Sequence, residues 1–215
     1  MDRFVTGAIL VGAAVLFVLL VQHLRRASVQ RITQRTRYLD ACRALLDAPR
    51  MGRGNSGFAR LGGHHQGVEA DIQVLPDTLT FRKLPALWVL VTLPGALPVS
   101  ATINLMIRST GIEPFSRFQS LTHQLERPDD FPNDCAIRTD SRAHMPPEDL
   151  VRAHLHIFDD QKVKELVISP KGVRIVFLAE EAQRSHLLKP KLDQLIALRP
   201  DVLNVETAEV QGLRA

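Results

Sequence analysis

The sequence predicts an α+β fold carried behind a transmembrane helix, on three observations. Phe4 to Val21 (FVTGAILVGAAVLFVLLV) runs eighteen positions without a charge. From Val68 onward apolar and polar residues alternate with the period of two expected of strands. Stretches with helical spacing then fall among and after those strands. The architecture expected is an N-terminal transmembrane helix continuing into a basic helix, then one domain with a curved antiparallel sheet and helices on one face.

Residues 1–24 form the anchor. At about 1.5 Å of rise per residue, the uncharged run extended by Gln22, His23 and Leu24 matches a hydrocarbon core of roughly 30 Å. A cleavable signal peptide would be shorter and end at small residues, whereas Gln22-His23-Leu24-Arg25-Arg26 follows here. Arg25, Arg26, Arg31, Arg35 and Arg37 follow the span and only Arg3, beside Asp2, precedes it. Lysine and arginine resist translocation, which puts the C-terminal part on the cytoplasmic side of a bacterial inner membrane. Ala8 and Gly12 make a small-xxx-small pair, compatible with a homo-oligomer through the membrane helix.

Residues 25–57 read as a basic juxtamembrane helix and a hinge. No proline or glycine interrupts Arg25 to Leu46, and Val29, Ile32, Leu39, Cys42 and Leu46 recur with helical spacing. The chain carries a net charge of +4, with its positive excess flush against the expected bilayer. That placement favours anionic headgroups over nucleic acid, with Arg25, Arg26, Arg31 and Arg35 as the lipid contacts. Pro49 ends the helix and Met51 to Gly57 (MGRGNSG) follows as a flexible break. Gly52, Gly54 and Gly57 spell a dinucleotide-binding pattern, but that turn needs a strand before it and a long helix after it. A glycine hinge is the expectation.

Residues 58–200 are the α+β domain, of a size that supports one core. Val68, Ala70, Ile72 and Val74 alternate with Glu69, Asp71 and Gln73; Leu87 to Leu93 is apolar on both faces and reads as central; Ile103, Leu105 and Ile107 alternate again. Between the first two, Pro76 to Pro85 (PDTLTFRKLP) holds a possible short strand, Phe81 to Leu84. It reads as a surface connector, with Arg82 and Lys83 as the candidate partner contact. Ile137 to Asp140 closes another strand. Helices are expected at Pro114 to Leu125, Pro147 to Phe158 and Glu181 to Leu198, the last kinked or split at Pro190. Val163 to Ser169 and Val173 to Leu178 form a hairpin through Pro170-Lys171-Gly172. Residues 201–215 are a tail with one possible short strand, Leu203 to Val205.

In its order of elements the chain resembles a loose group of uncharacterised bacterial membrane-associated proteins. Gly67-Val68-Glu69-Ala70 opens a meander, Ile137-Arg138-Thr139-Asp140 closes a strand, and Lys164 to Phe177 forms a hairpin before a final helix. The resemblance covers roughly Gly63 to Leu198. It implies an α+β domain without transferring any catalytic residue.

Histidine is the one concentration that invites chemistry. His64 and His65 are adjacent, and His154 and His156 lie two apart before Asp159-Asp160. On a strand the latter pair would share a face and could hold a metal; on a helix the two rings diverge, and Leu150, Ala153 and Ile157 argue for the helix. No nucleophile elbow, zincin or phosphate-loop motif occurs. Asp129-Asp130, Asp159-Asp160 and Glu180-Glu181 stand beside expected turns and helix starts, where carboxylates stabilise helix N-termini. Cys42 and Cys135 lie too far apart for ligand spacing and read as buried thiols. The sequence implies no cofactor. Its composition and topology favour a non-catalytic, membrane-anchored scaffold or interaction module; the alternatives are an unrecognised membrane-tethered enzyme and a histidine-based metal-binding domain.

Overall fold

In a computed structural model of the chain, residues 2–77, 87–111, 113–142, 148–179 and 184–203 are described; side chains of residues 2–14, 31, 148 and 184–187 are not among them. Helix α1 spans Asp2–Thr36 and is followed by a 3-10 turn, Asp40–Leu45. The strands are β1 (Asp47–Arg53), β2 (Ala59–His65), β3 (Val68–Pro76), β4 (Leu87–Pro94), β5 (Ile103–Ile107), β6 (His123–Leu125), β7 (Cys135–Thr139), β8 (Val163–Ser169) and β9 (Gly172–Ala179). Helix α2 (Glu148–Ala153) lies between β7 and β8, and α3 (Arg184–Leu203) comes last.

The nine strands among the described residues form one open sheet in the order β1-β2-β3-β4-β9-β8-β5-β7-β6, every neighbouring pair antiparallel. The fold is therefore α+β, as the alternation of residues implied. β4 lies inside the sheet, with Val91 opposite Ile72 on one side and Ile175 on the other. Leu87, Val89, Val91 and Leu93 of β4 enter the main core, which also takes Val151 of α2 and Leu188, Leu192, Leu195, Leu198 and Val202 of α3. The intervening Trp88 and Leu90 join a smaller cluster with Met106, Phe115, Phe118 and Val176. Burying each such side chain contributes roughly 1.5–3 kcal/mol, so a strand apolar on both faces belongs in the middle.

Several expectations are corrected. The N-terminal helix does not run to Leu46: it stops at Thr36, and Tyr38, Leu39, Cys42 and Leu46 turn into the main core. The glycine-rich stretch is not a hinge. Asp47–Arg53 pairs with Ala59–His65, and the intervening glycines make the hairpin turn, where the Gly54 amide donates to the Phe58 carbonyl at 2.9 Å and Gly57 adopts φ +77°. Pro114 to Leu125 forms no α-helix. Phe118–Ser120 is a single 3-10 turn and His123–Leu125 pairs with β7, because Phe115 and Phe118 are drawn into the Trp88 cluster and the backbone bonds go to the sheet. The second expected helix is split between α2 and a 3-10 turn at Leu155–Asp159. The third runs through Pro190 and on to Leu203, held by Leu188, Leu192, Leu195, Leu198 and Val202, each at most 1% exposed. Arg82, Lys83 and the strand expected at Phe81 to Leu84 lie outside the described residues, as does the tail beyond Leu203.

Among the described residues, no helix is long and apolar enough to cross a membrane. The uncharged run lies within α1, and the side chains of its residues 4–14 are outside that description. Val15 to Leu20, the described part, are 52–69% exposed.

Candidate functional site at the base of the N-terminal helix

The end of α1 meets the domain through aromatic contacts. The Arg35 guanidinium lies 5.2 Å from the centroid of the Phe58 ring, and Tyr38 meets the same ring edge-on at 5.9 Å. Phe58 leads into β2, so the first hairpin is the platform on which α1 stands. Arg25 and Arg26 are exposed, and the side chain of Arg31 lies outside the described residues. Of the four arginines read as lipid contacts, Arg35 thus has a neighbour in its own chain.

Beyond Tyr38 the chain crosses the end of β2 very closely. A Cβ at Gly63 would sit 2.9 Å from both the Asp47 carbonyl oxygen and the Leu46 Cβ, so only glycine leaves room for this crossing. Two residues on, His65 ends β2, and Gln66 (φ +51°) with Gly67 (φ +79°) forms the two-residue turn into β3. His65 is buried on the helix-bearing side. Its Nδ1 lies 2.9 Å from the Leu45 carbonyl oxygen and its Nε2 lies 2.9 Å from Asp193 Oδ1 on α3. Asp193 also accepts from Gln66 at 3.2 Å and from the Lys189 ammonium at 2.7 Å. Hydrogen bonds from His65 and Lys189 hold its carboxyl below the ordinary value of 3.8.

A second histidine meets α3 near its C-terminus. His154 Nε2 lies 2.6 Å from Asp201 Oδ2, while its buried Nδ1 has no hydrogen-bond partner. Two residues before Asp193, the buried Lys191 ammonium reaches Asp160 at 2.8 Å. Burial raises the Asp160 carboxyl, but its bonds to Lys191 and the Lys162 amide outweigh that and leave it below the ordinary range. Helix α3 is therefore tied to the domain at three points along its length.

The four histidines of the sequence reading are not brought together. His64 and His156 are exposed, and His65 and His154 are engaged by different aspartates. His154 and His156 have ring centroids 6.0 Å apart. Among the described residues, no group of three or more His, Cys, Asp or Glu stands close enough to share a metal ion. An open cleft of about 410 Å³ beside His156 is lined by Asp130, Phe131, Pro132, Asn133, Leu155 and Asp159, and Asp130 is already bonded to Arg152 at 2.5 Å.

On the opposite sheet face lies a buried polar group that the sequence did not reveal. Glu165 Oε1 accepts from the Asn104 amide at 2.7 Å and from the Ser116 hydroxyl, which pins the segment carrying Phe115 and Phe118 over Trp88. Burial raises the Glu165 carboxyl, against the bonds from Ser116 and Asn104 and the charge of Arg174. The nearby Glu113 lies 3.8 Å from the Lys164 ammonium, which donates to the Arg108 carbonyl. Cys42 and Cys135 are buried thiols, and burial pushes the Cys135 thiol up to about 12. Such a thiol is protonated and unreactive at neutral pH.

No protein-family model matches this sequence, and no curated protein matches it. Among solved structures, the chain is similar to the crystal structure of the mycobacterial trehalose monomycolate transport factor A, TtfA. The similarity has a TM-score of 0.37 at 8% identity, over 81% of this chain and 93% of that one.

Proposed function

We propose that this protein is a membrane-anchored, non-catalytic scaffold or interaction module at the cytoplasmic face of a bacterial inner membrane. The observation that carries this reading is the uncharged run Phe4 to Val21 followed at once by Arg25 and Arg26. Supporting it, Val15 to Leu20 are exposed rather than packed on the domain. Leaving that many large apolar side chains in water is costly at roughly 25 cal/mol per Å², and lipid removes the cost. The arginines that follow would meet anionic headgroups, Arg25 and Arg26 foremost. Arg82 and Lys83 remain the proposed partner contact, and Ala8 with Gly12 the proposed site of self-association.

Affinity capture with the full chain, beside a chain lacking residues 1–24, tests the reading. Truncation stops there because Tyr38, Leu39, Cys42 and Leu46 belong to the core. Partners recovered by the full chain should be lost by the shortened one. A soluble truncated form that rescues a deletion phenotype and recovers the same partners would show that anchoring is incidental.

A further inference from the structure

The His65 ring faces two oxygens that can only accept. The Leu45 carbonyl and the Asp193 carboxylate each lie 2.9 Å from one of its nitrogens. A neutral imidazole carries one N–H and one lone pair, so it can satisfy only one of them; both bonds require the imidazolium. His154 is the internal contrast. With Nε2 on Asp201 and Nδ1 buried without a partner, the neutral Nε2–H form makes the one bond available, and a second proton would be left without an acceptor. Two histidine–aspartate pairs on one helix thus call for different protonation states.

The two bonds of His65 join parts that are remote in the chain. Leu45 closes the 3-10 turn through which α1 enters the domain, and Asp193 lies in the middle of α3, 128 positions beyond His65. We propose that His65 is a proton-operated latch: as the imidazolium it ties the turn that receives the N-terminal helix to α3, and loss of one proton frees one of the two. The charged and titratable groups with described side chains on the packed elements are Lys189, Lys191, Asp193, Arg199 and Asp201 on α3, Asp40, Cys42 and Arg43 in the 3-10 turn, Asp47, Arg50 and Arg53 on β1, Arg60 and His64 on β2, and Glu69 and Asp71 on β3. Asp40 pairs with Arg43 at 4.0 Å and Arg50 with Glu69 at 3.6 Å, leaving Asp193 as the charged group bonded to the ring. The direction follows from the bonds. The latch is closed while His65 is doubly protonated and Asp193 ionised; it opens when the ring gives up one proton. It also loses its Asp193 side in acid, when pH falls through the depressed carboxylate.

The test uses the full chain, in detergent micelles, between about pH 5.5 and 8.5, the range in which histidines titrate. Long-range proton–nitrogen spectra of the imidazoles report protonation, and hydrogen exchange reports the opening of α3 and of the end of β2. The expected result is an imidazolium pattern for His65 at the acid end. As that pattern is lost, protection of the amides around the partner that is freed, at Leu45 or at Asp193, corrected for intrinsic rate, should fall by about three- to tenfold, the worth of one hydrogen bond. His65→Gln should abolish this pH response and His154→Gln should keep it. Asp193→Asn, which leaves the ring intact, should weaken the response if the glutamine variant does not fold. A neutral His65 throughout the range in the wild-type chain, or protection that does not change as His65 titrates, would overturn the proposal.

Discussion

The Arg35 guanidinium stacks over Phe58 at 5.2 Å, so the last turn of the N-terminal helix rests on a ring that belongs to the first hairpin of the sheet. Phe58 is buried, and Tyr38 meets its ring edge-on. It therefore serves both the core and the seat of α1.

Phe58→Ala is expected to cost about 3–5 kcal/mol, the range for truncating a buried phenylalanine, whereas Arg35→Ala should cost about 0.5–1 kcal/mol. In the double variant the arginine effect should largely vanish, since its partner is gone. Denaturant unfolding followed by the fluorescence of Trp88, the single tryptophan, measures all three. Additive effects would mean that the stacking contributes nothing.

Gly172 should be far less tolerant than Gly67. At Gly172, φ is +131° and a Cβ would collide with the Leu93 carbonyl oxygen, whereas at Gly67, φ is +79° and a Cβ would meet nothing within 4 Å. Gly67→Ala is expected to cost about 1–2 kcal/mol from backbone strain alone. Gly172→Ala should cost more, because β4 and β9 must separate to admit the methyl group. Equal losses in the same unfolding assay would place the cost in backbone conformation rather than in the close approach.

Glu165 is expected to weaken the fold as pH rises. Burial raises its carboxyl above the ordinary value of 4.5, so its contribution is fully present below that value and is lost as pH rises through the raised one. Glu165→Gln keeps acceptors for Asn104 and Ser116 without an ionisable group. Its stability relative to wild type should therefore increase from about pH 5 to about pH 8, across the range above a free carboxyl's titration. A stability difference independent of pH would show that Glu165 does not change charge there.

Period-two alternation made β3 and β5 legible, an unbroken apolar run made β4 legible, and the Pro170-Lys171-Gly172 turn gave the β8–β9 hairpin, because each strand carries large apolar residues whose burial decides its faces. β1 and β2 were hidden for a physical reason. Their residues include Gly52, Gly62, Gly63, His64 and Pro49, which supply little apolar signal, and their pairing depends on glycines that let other backbone come close. The segment Pro114 to Leu125 misled in the opposite way: Phe115, Phe118, Leu121 and Leu125 have helical spacing, yet Phe118 is buried under a sheet and Leu125 is in a strand. His65 stood out in the sequence, but the residue that gives it a role did not. Asp193 is brought to it by the packing of α3, and no local pattern encodes a contact between residues so far apart.

Membrane attachment with the domain on the cytoplasmic side is the central claim, and protease accessibility in native membranes tests it most directly. The full chain should stay in the membrane pellet through alkaline carbonate extraction, and protease should digest its domain in inverted vesicles while sparing it in intact spheroplasts. Release by carbonate would contradict the anchor; digestion in intact spheroplasts would contradict the orientation drawn from Arg25, Arg26, Arg31, Arg35 and Arg37.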